Sequence, residues 1–318
     1  MPVKFYDIFN GDADGICALH QLRLSEPLES VLVSGVKRDI SLLKKVHPGE
    51  GDQVTVLDIS LDANRAELLA MLERGATVRY FDHHFAGDIP AHPRLDAQID
   101  TSAEICTSLM VDRHLNGAHR AWAIAAAFGD NLHDAAMATA ANLGLDKTQL
   151  GALREVGECL NYNAYGNSPA DLHYDPVDLY LRLRPFVHPL DFYARAPEMA
   201  VLRAGLAGDL EKARQLPRRE LGKYSLLVLL PDTDWSRRIS GVLGNELARE
   251  NPDRVVALLG RTAGGYRVSL RGPERANVLG IARLFDSGGG RGRAAGISFL
   301  PNHSLPDFIA QLERGWEP

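Results

Sequence analysis

The stretch VKFYDIFNGDADGICALHQLRL, residues 3–24, decides how the rest of the chain is read. VKFYDIF (3–9) is β-branched and aromatic, NGDADG is turn-forming, and apolar residues then recur at helical spacing. A strand that runs straight into a helix is the opening half of a βαβ unit. Three more runs have strand character: SVLVSGV (30–36), QVTVLDI (53–59) and TVRYFDH (77–83). The helical pattern DANRAELLAMLERG starts near Asp62 and stops at Gly75. This alternation predicts an α/β fold with a doubly wound, mostly parallel sheet.

Two alanine-rich helical stretches follow, around 102–115 and 120–128. From 160 to about 220 the texture changes. NYNAYGNSPADLHYDP is dense in turn formers, so Tyr162, Asn163, Tyr165 and Asn167 are read as a capped turn between helices rather than a base-stacking surface. EMAVLRAGLAGDLEKARQL reads as a connecting helix. A second, smaller α/β block opens with the strand YSLLVLLP (224–231). It continues with a helix near 235–250, strands RVVALLG and YRVSLRG, a helix at 277–285, a glycine-run loop and the strand AAGISFLP. The expected organisation is a first domain over 1–190, a helical connector over 191–222 and a second domain over 223–318.

Composition narrows the function classes. The chain has 318 residues, 45% hydrophobic and 24% charged, which suits a globular protein of two domains. No run approaches the ~20 apolar residues of a membrane span, and the N-terminal residues lack the order of a signal peptide. Cys17, Cys106 and Cys159 are far apart with no CxxC pair, which speaks against a disulfide framework and for a reducing, cytoplasmic setting. A net charge of −6 argues against a binder of long nucleic acid. Charge is nevertheless uneven. Between Arg261 and Arg293, seven arginines face two acids, so that window is +5 and the remainder −11. Arginine without lysine suits bidentate contacts to phosphate or a base edge.

Chemistry-bearing residues fall at the carboxyl ends of the predicted strands: Asp12 and Asp14 after the first, Asp58 after the third, and Asp82, His83 and His84 after the fourth. In a parallel sheet those ends share one edge, where open α/β folds place ligands. A lone aspartate there is usually a helix cap or turn residue. Several together are costly unless a cation neutralises them. Mixed carboxylate–imidazole ligation suits Mn²⁺ or a similar ion, with Mg²⁺ and Co²⁺ as alternatives. Asp130, following an apolar helix, is a further candidate ligand. Two ions bridged by one carboxylate would clamp a phosphoryl group. In the second block, SGGGRGRAAG (287–296) offers backbone amides at Gly288, Gly289 and Gly290, flanked by Arg291 and Arg293, with Arg271 closing the preceding strand. An anion or nucleotide site is expected there.

These residues carry a resemblance. The chain resembles DHH phosphoesterases with a C-terminal DHH-associated domain, the group of nanoRNases and RecJ-type exonucleases. NGDADG is similar to the first motif, Asp58 to the second, Asp82-His83-His84 to the third and Asp130 to the fourth. VSLRG followed by SGGGRGRAAG is similar to the strand-arginine and GGGHxxAAG signature of the associated domain. The resemblance implies a two-domain enzyme with a cleft between the domains. Asp12, Asp14, Asp58, His83 and Asp130 would hold one or two ions, with Asp58 bridging. His84, with Asp82, would act at the scissile phosphate. Arg271, Arg291, Arg293 and the three glycines would hold the substrate.

Two positions depart from the pattern. Asn10 stands where RecJ-like relatives carry an aspartate; its amide oxygen is a weaker ligand, which puts a strict two-metal count in doubt. Arg291 replaces the signature histidine and could contact guanine O6 and N7 or simply a phosphate. The implied activity is hydrolysis of short linear oligonucleotides, dinucleotides such as pGpG first among them. Alternatives are a phosphatase acting on 3′-phosphoadenosine phosphate or polyphosphate-like substrates, and a catalytically weak nucleotide sensor. Neither long nucleic acid nor a membrane is expected as a partner, and a homodimer is left open.

Overall fold

The strand Phe5–Phe9 (β1) enters the helix Ala13–Ser25 (α1) across residues 10–12, as the opening stretch predicts. This computed structural model describes residues 2–314, apart from the side chain of Arg291. After α1 come β2 (Val31–Val33), β3 (Gln53–Leu57), α2 (Arg65–Glu73), β4 (Thr77–Asp82) and β5 (Leu95–Ile99). All five strands are parallel, in the order β2-β1-β3-β4-β5. The direction of winding reverses at β1, the place where open α/β sheets bind their ligands.

Alternate side chains enter two covered faces. Ile8, Val54, Val56, Val78 and Tyr80 pack with Leu68, Met71 and Leu72 of α2. On the opposite face Asp7 and Thr55 meet Arg23 of α1. Beyond it lie α3 (Thr107–His114), α4 (Arg120–Gly129), α5 (His133–Ala140), α6 (Lys147–Ala164), α7 (Pro176–Leu183) and α8 (Pro189–Arg195). Alanine's small side chain lets α4 be buried from Ala121 through Gly129, with α1, α3, α5 and α6 against it. At Gly157 of α6 a Cβ would lie 1.9 Å from the Ala125 carbonyl oxygen, so only glycine allows this approach. The contact brings the end of α4 beside residue 161.

The helix α9 (Pro197–Arg214) carries the chain from one compact unit, Met1–Ala204, into the next, Gly205–Pro318; the boundary falls inside the helix. The second unit contains β6 (Arg218–Leu221), β7 (Ser225–Leu230), α10 (Asp234–Glu250), β8 (Val255–Thr262), β9 (Gly265–Arg271), α11 (Val278–Arg283), β10 (Gly288–Arg291), β11 (Ala294–Pro301) and α12 (Leu305–Arg314). Its sheet runs β10-β11-β9-β8-β7-β6 and is antiparallel except for the β7–β8 pair. Val255, Leu259, Val268 and Ile297 form its core with Phe308 and Leu312 of α12.

The structure differs from the sequence reading where local composition misleads. β5, LDAQI, and β6, RREL, are polar strands at sheet edges, where neighbours rather than propensity hold them. The glycine run, expected as a loop, is the edge strand β10 paired antiparallel with β11. A Cβ at Gly288 would fall 1.8 Å from the Ala282 carbonyl oxygen, and Gly290 has φ 139°, so these two are glycine for packing and backbone reasons. Gly289 meets nothing within 4 Å. In the 160–176 segment, Asn163 accepts the backbone N–H groups of His173 and Tyr174 and donates to the Tyr174 carbonyl, pinning the turn from inside.

Candidate metal centre

The ends of β1, β3 and β4 deliver the acidic residues to one place. Asp12 is the N-cap of α1: its Oδ1 accepts the backbone N–H groups of Asp14 and Gly15 at 3.0 and 3.1 Å. Asp14, in the first turn, is buried, and its two oxygens accept the Thr107 and Ser108 backbone N–H groups, both at 2.7 Å. Those amides begin α3, so two helix N-termini point positive dipole ends at these carboxylates. Asp58 leaves β3 with φ 59°, a left-handed conformation rare outside glycine, and is buried beside His83. Asp130 caps the C-terminus of α4, where the helix dipole disfavours an acid. A nearby cation offsets that penalty.

His83 is the hub. Its Nδ1 lies 2.7 Å from the Ile105 carbonyl oxygen and donates to it, which turns Nε2 toward Asp58 Oδ1 at 3.3 Å, Asp130 Oδ2 at 3.8 Å and Asp14 Oδ2 at 3.9 Å. A carbonyl that fixes the tautomer of an imidazole facing carboxylates is the usual outer support of a metal-ligating histidine. Ligand atoms of Asp14, His83 and Asp130 lie within 4.8 Å of one another, as do those of Asp58, His83 and His84. The donor set therefore fits a divalent ion of intermediate hardness. His84 is half-buried; its Nδ1 sits 2.7 Å from Asp82 Oδ1, and Asp82 is fully buried. That pairing orients the His84 ring.

Two residues that the sequence reading did not single out belong to this centre. Lys37, just past β2 on the same sheet edge, places Nζ 2.5 Å from Asp12 Oδ2, 3.0 Å from Asn161 Oδ1 of α6 and 3.1 Å from Asp130 Oδ1. SGVKRD after a strand was the only signal for it; nothing local marks Asn161. Asn10 is buried; its Nδ2 donates to the Lys37 carbonyl at 3.4 Å, and its Oδ1 has no partner among the described residues. In the second unit, Arg271 Nε donates to Asn245 Oδ1 and its Nη1 to Ser269 Oγ and the Leu270 carbonyl. Arg293 is exposed on the turn between β10 and β11. The Arg291 side chain lies outside the described residues.

Electrostatics show how strongly the first group wants positive charge. Desolvation, reinforced by the charges of Asp12 and Asp14, pushes the Asp58 carboxyl well above its ordinary range, and burial likewise raises Asp14. Burial alone would lower His83, but the Asp58 hydrogen bond and the charges of Asp130, Asp58 and Asp14 outweigh it and carry the imidazole up to about 10. The metal-free Asp58–His83 pair thus holds a proton at neutral pH that a metal must displace. Because the metal-free form binds more protons, affinity should rise with pH, about tenfold per unit for each proton displaced while pH stays below the raised values. Calorimetric titration with Mn²⁺ in buffers of different ionisation enthalpy should show release of at least one proton per ion. Heats independent of the buffer would refute it.

Carboxylates and imidazoles gathered at the switch point of a parallel sheet are a donor set that could hold a divalent cation. Residues 222–315 match the DHHA1 domain family. No curated protein matches the chain. Among solved structures, RecJ from Thermus thermophilus in complex with Mn²⁺ superposes with a TM-score of 0.65 at 17% identity, over 98% of this chain and 51% of that one. The chain thus spans about half the length of that RecJ. A pGpG-specific phosphodiesterase, PggH, from Vibrio cholerae matches at TM-score 0.54 and 14% identity, over 99% of this chain and 100% of that one. An exopolyphosphatase-related protein from Bacteroides fragilis matches at 0.52 and 14%, over 98% and 92%. At such identities the likeness is one of fold. The second unit thus carries a DHHA1 domain, and the chain shares the fold of RecJ and of these phosphodiesterase and exopolyphosphatase-related structures.

Proposed function

We propose that the chain is a metal-dependent phosphodiesterase, using Mn²⁺ by preference, that hydrolyses short linear oligonucleotides to mononucleotides in the cytoplasm. The observation that carries this reading is His83 Nε2 facing Asp14, Asp58 and Asp130 at the switch point of the sheet. A divalent ion held there would polarise a phosphoryl oxygen and lower the pKa of an attacking water. His84, oriented by Asp82 through Nδ1, is positioned to give a proton from Nε2 to the departing ribose oxygen. The helix N-termini of α1 and α3 hold Asp12 and Asp14 in place through backbone N–H groups.

A dinucleotide such as pGpG is the favoured substrate. PggH, a pGpG-specific phosphodiesterase, shares the fold over 99% of this chain. Arg271, Gly289, Arg291 and Arg293 in the DHHA1 region would bind a phosphate or base. Among the described residues no helix is long and apolar enough to cross a membrane. Hydrolysis of pGpG, pApA, 3′-phosphoadenosine phosphate and a longer RNA, with Mn²⁺ present and products resolved by chromatography, tests the reading. Mononucleotide release from the dinucleotides supports it. Phosphate release from 3′-phosphoadenosine phosphate alone would replace it with a monoesterase, and nucleotide binding without turnover would replace it with a sensor. Equal losses on pGpG and pApA in Arg291→Ala would remove the guanine preference.

A further inference from the structure

We propose that this centre takes a single divalent cation, and that the ammonium of Lys37 stands in the place of a second. The inference rests on the metal-dependent reading above and deepens it.

Lysine's ammonium has three donors. At Lys37 all three are used, on Asp12 Oδ2 at 2.5 Å, Asn161 Oδ1 at 3.0 Å and Asp130 Oδ1 at 3.1 Å. The donor atoms of the centre therefore divide into two groups. Asp12 gives one oxygen to Lys37 and the other to the α1 N-terminus. Asp130 turns Oδ1 to Lys37 and Oδ2 toward His83, and Asp14, Asp58 and His83 complete the second group. The first group surrounds a monovalent cation already present in the chain, and the second is left for a metal.

Charge favours the same division. Asp12 and Asp130 already share the Lys37 ammonium, so a dication placed between the same two carboxylates would set two cations against each other.

The backbone holds Lys37 for this role. Its N–H donates to the Ala164 carbonyl at 2.9 Å, and its carbonyl accepts from Asn10 Nδ2 at 3.4 Å. An aspartate at position 10, ionised, could not make that donation and would add a further carboxylate beside the cluster. The neutral amide at position 10 and the lysine at position 37 are thus a matched pair, which accounts for the departure noted in the NGDADG motif.

Metal stoichiometry tests this without reference to turnover. Equilibrium dialysis of the full chain against Mn²⁺, followed by elemental analysis, should give one ion per chain, and electron paramagnetic resonance should show the hyperfine-resolved spectrum of an isolated Mn²⁺. In the double variant Asn10→Asp/Lys37→Ala, two ions per chain and an exchange-coupled spectrum are expected. Two ions in the unaltered chain, or one in a folded double variant, would overturn the inference while leaving metal-dependent hydrolysis standing. No bound ion in the unaltered chain would overturn both. Because the unaltered chain is itself decisive, misfolding of the variant would not shield the proposal.

Discussion

His83→Ala should abolish metal-dependent hydrolysis, by a factor on the order of 10³ or more, while leaving the fold in place. Among the described residues, the two triads able to ligate an ion, Asp58–His83–His84 and Asp14–His83–Asp130, share only His83. Removing the imidazole also frees the Ile105 carbonyl that holds it, and leaves Asp14, Asp58 and Asp130 without the one group that faces all three. His84→Ala should behave differently. It should keep Mn²⁺ binding and lose turnover by about 10²–10⁴-fold, the range of a general acid, because His84 Nδ1 is committed to Asp82. Steady-state hydrolysis of a dinucleotide, set beside Mn²⁺ affinity by calorimetry, separates the two. Retention of most of the turnover in His83→Ala would sink the assignment of the centre.

Much of this centre is legible in the sequence because its members sit in short motifs at strand ends, where a parallel sheet leaves no choice of edge. Asp12, Asp14, Asp58, Asp82, His83 and His84 all end or follow strands whose apolar runs are unambiguous. Asp130 is legible from its place at the end of an apolar helix. Lys37 and Asn161 are not, for a physical reason. Lys37 reaches Asp130 and Asn161 across 93 and 124 residues, and the meeting depends on the Gly157–Ala125 approach of two helices. No local pattern encodes a helix crossing. The same limit hides the polar edge strands β5 and β6, and it turned the glycine run into an expected loop. Glycine reads as flexibility, yet Gly288 is there because α11 leaves no room for a Cβ.

The fold beneath the centre rests on a second ionic element, and its loss should be large. Asp7 on β1 and Arg23 on α1 form a bidentate pair, Nε to Oδ2 at 2.8 Å and Nη2 to Oδ1 at 2.5 Å, with side chains only 1% and 5% exposed. Ser30 donates to the same carboxylate, and the guanidinium also reaches Thr55 Oγ1 and the Glu26 carbonyl. Asp7→Ala strands a buried guanidinium with only neutral acceptors, so it should destabilise the first unit by about 3–5 kcal/mol in urea unfolding. The pair itself contributes far less than that figure, because both charges were desolvated to form it. Asp7→Leu/Arg23→Met should therefore recover most of the loss. Since α1 is tied to the sheet at its last turn by this pair and carries Asp12 and Asp14 at its first, metal binding should weaken in Asp7→Ala and return in the double variant. A double variant as unstable as Asp7→Ala would mean that the polar network, and not the stranded charge, sets the penalty.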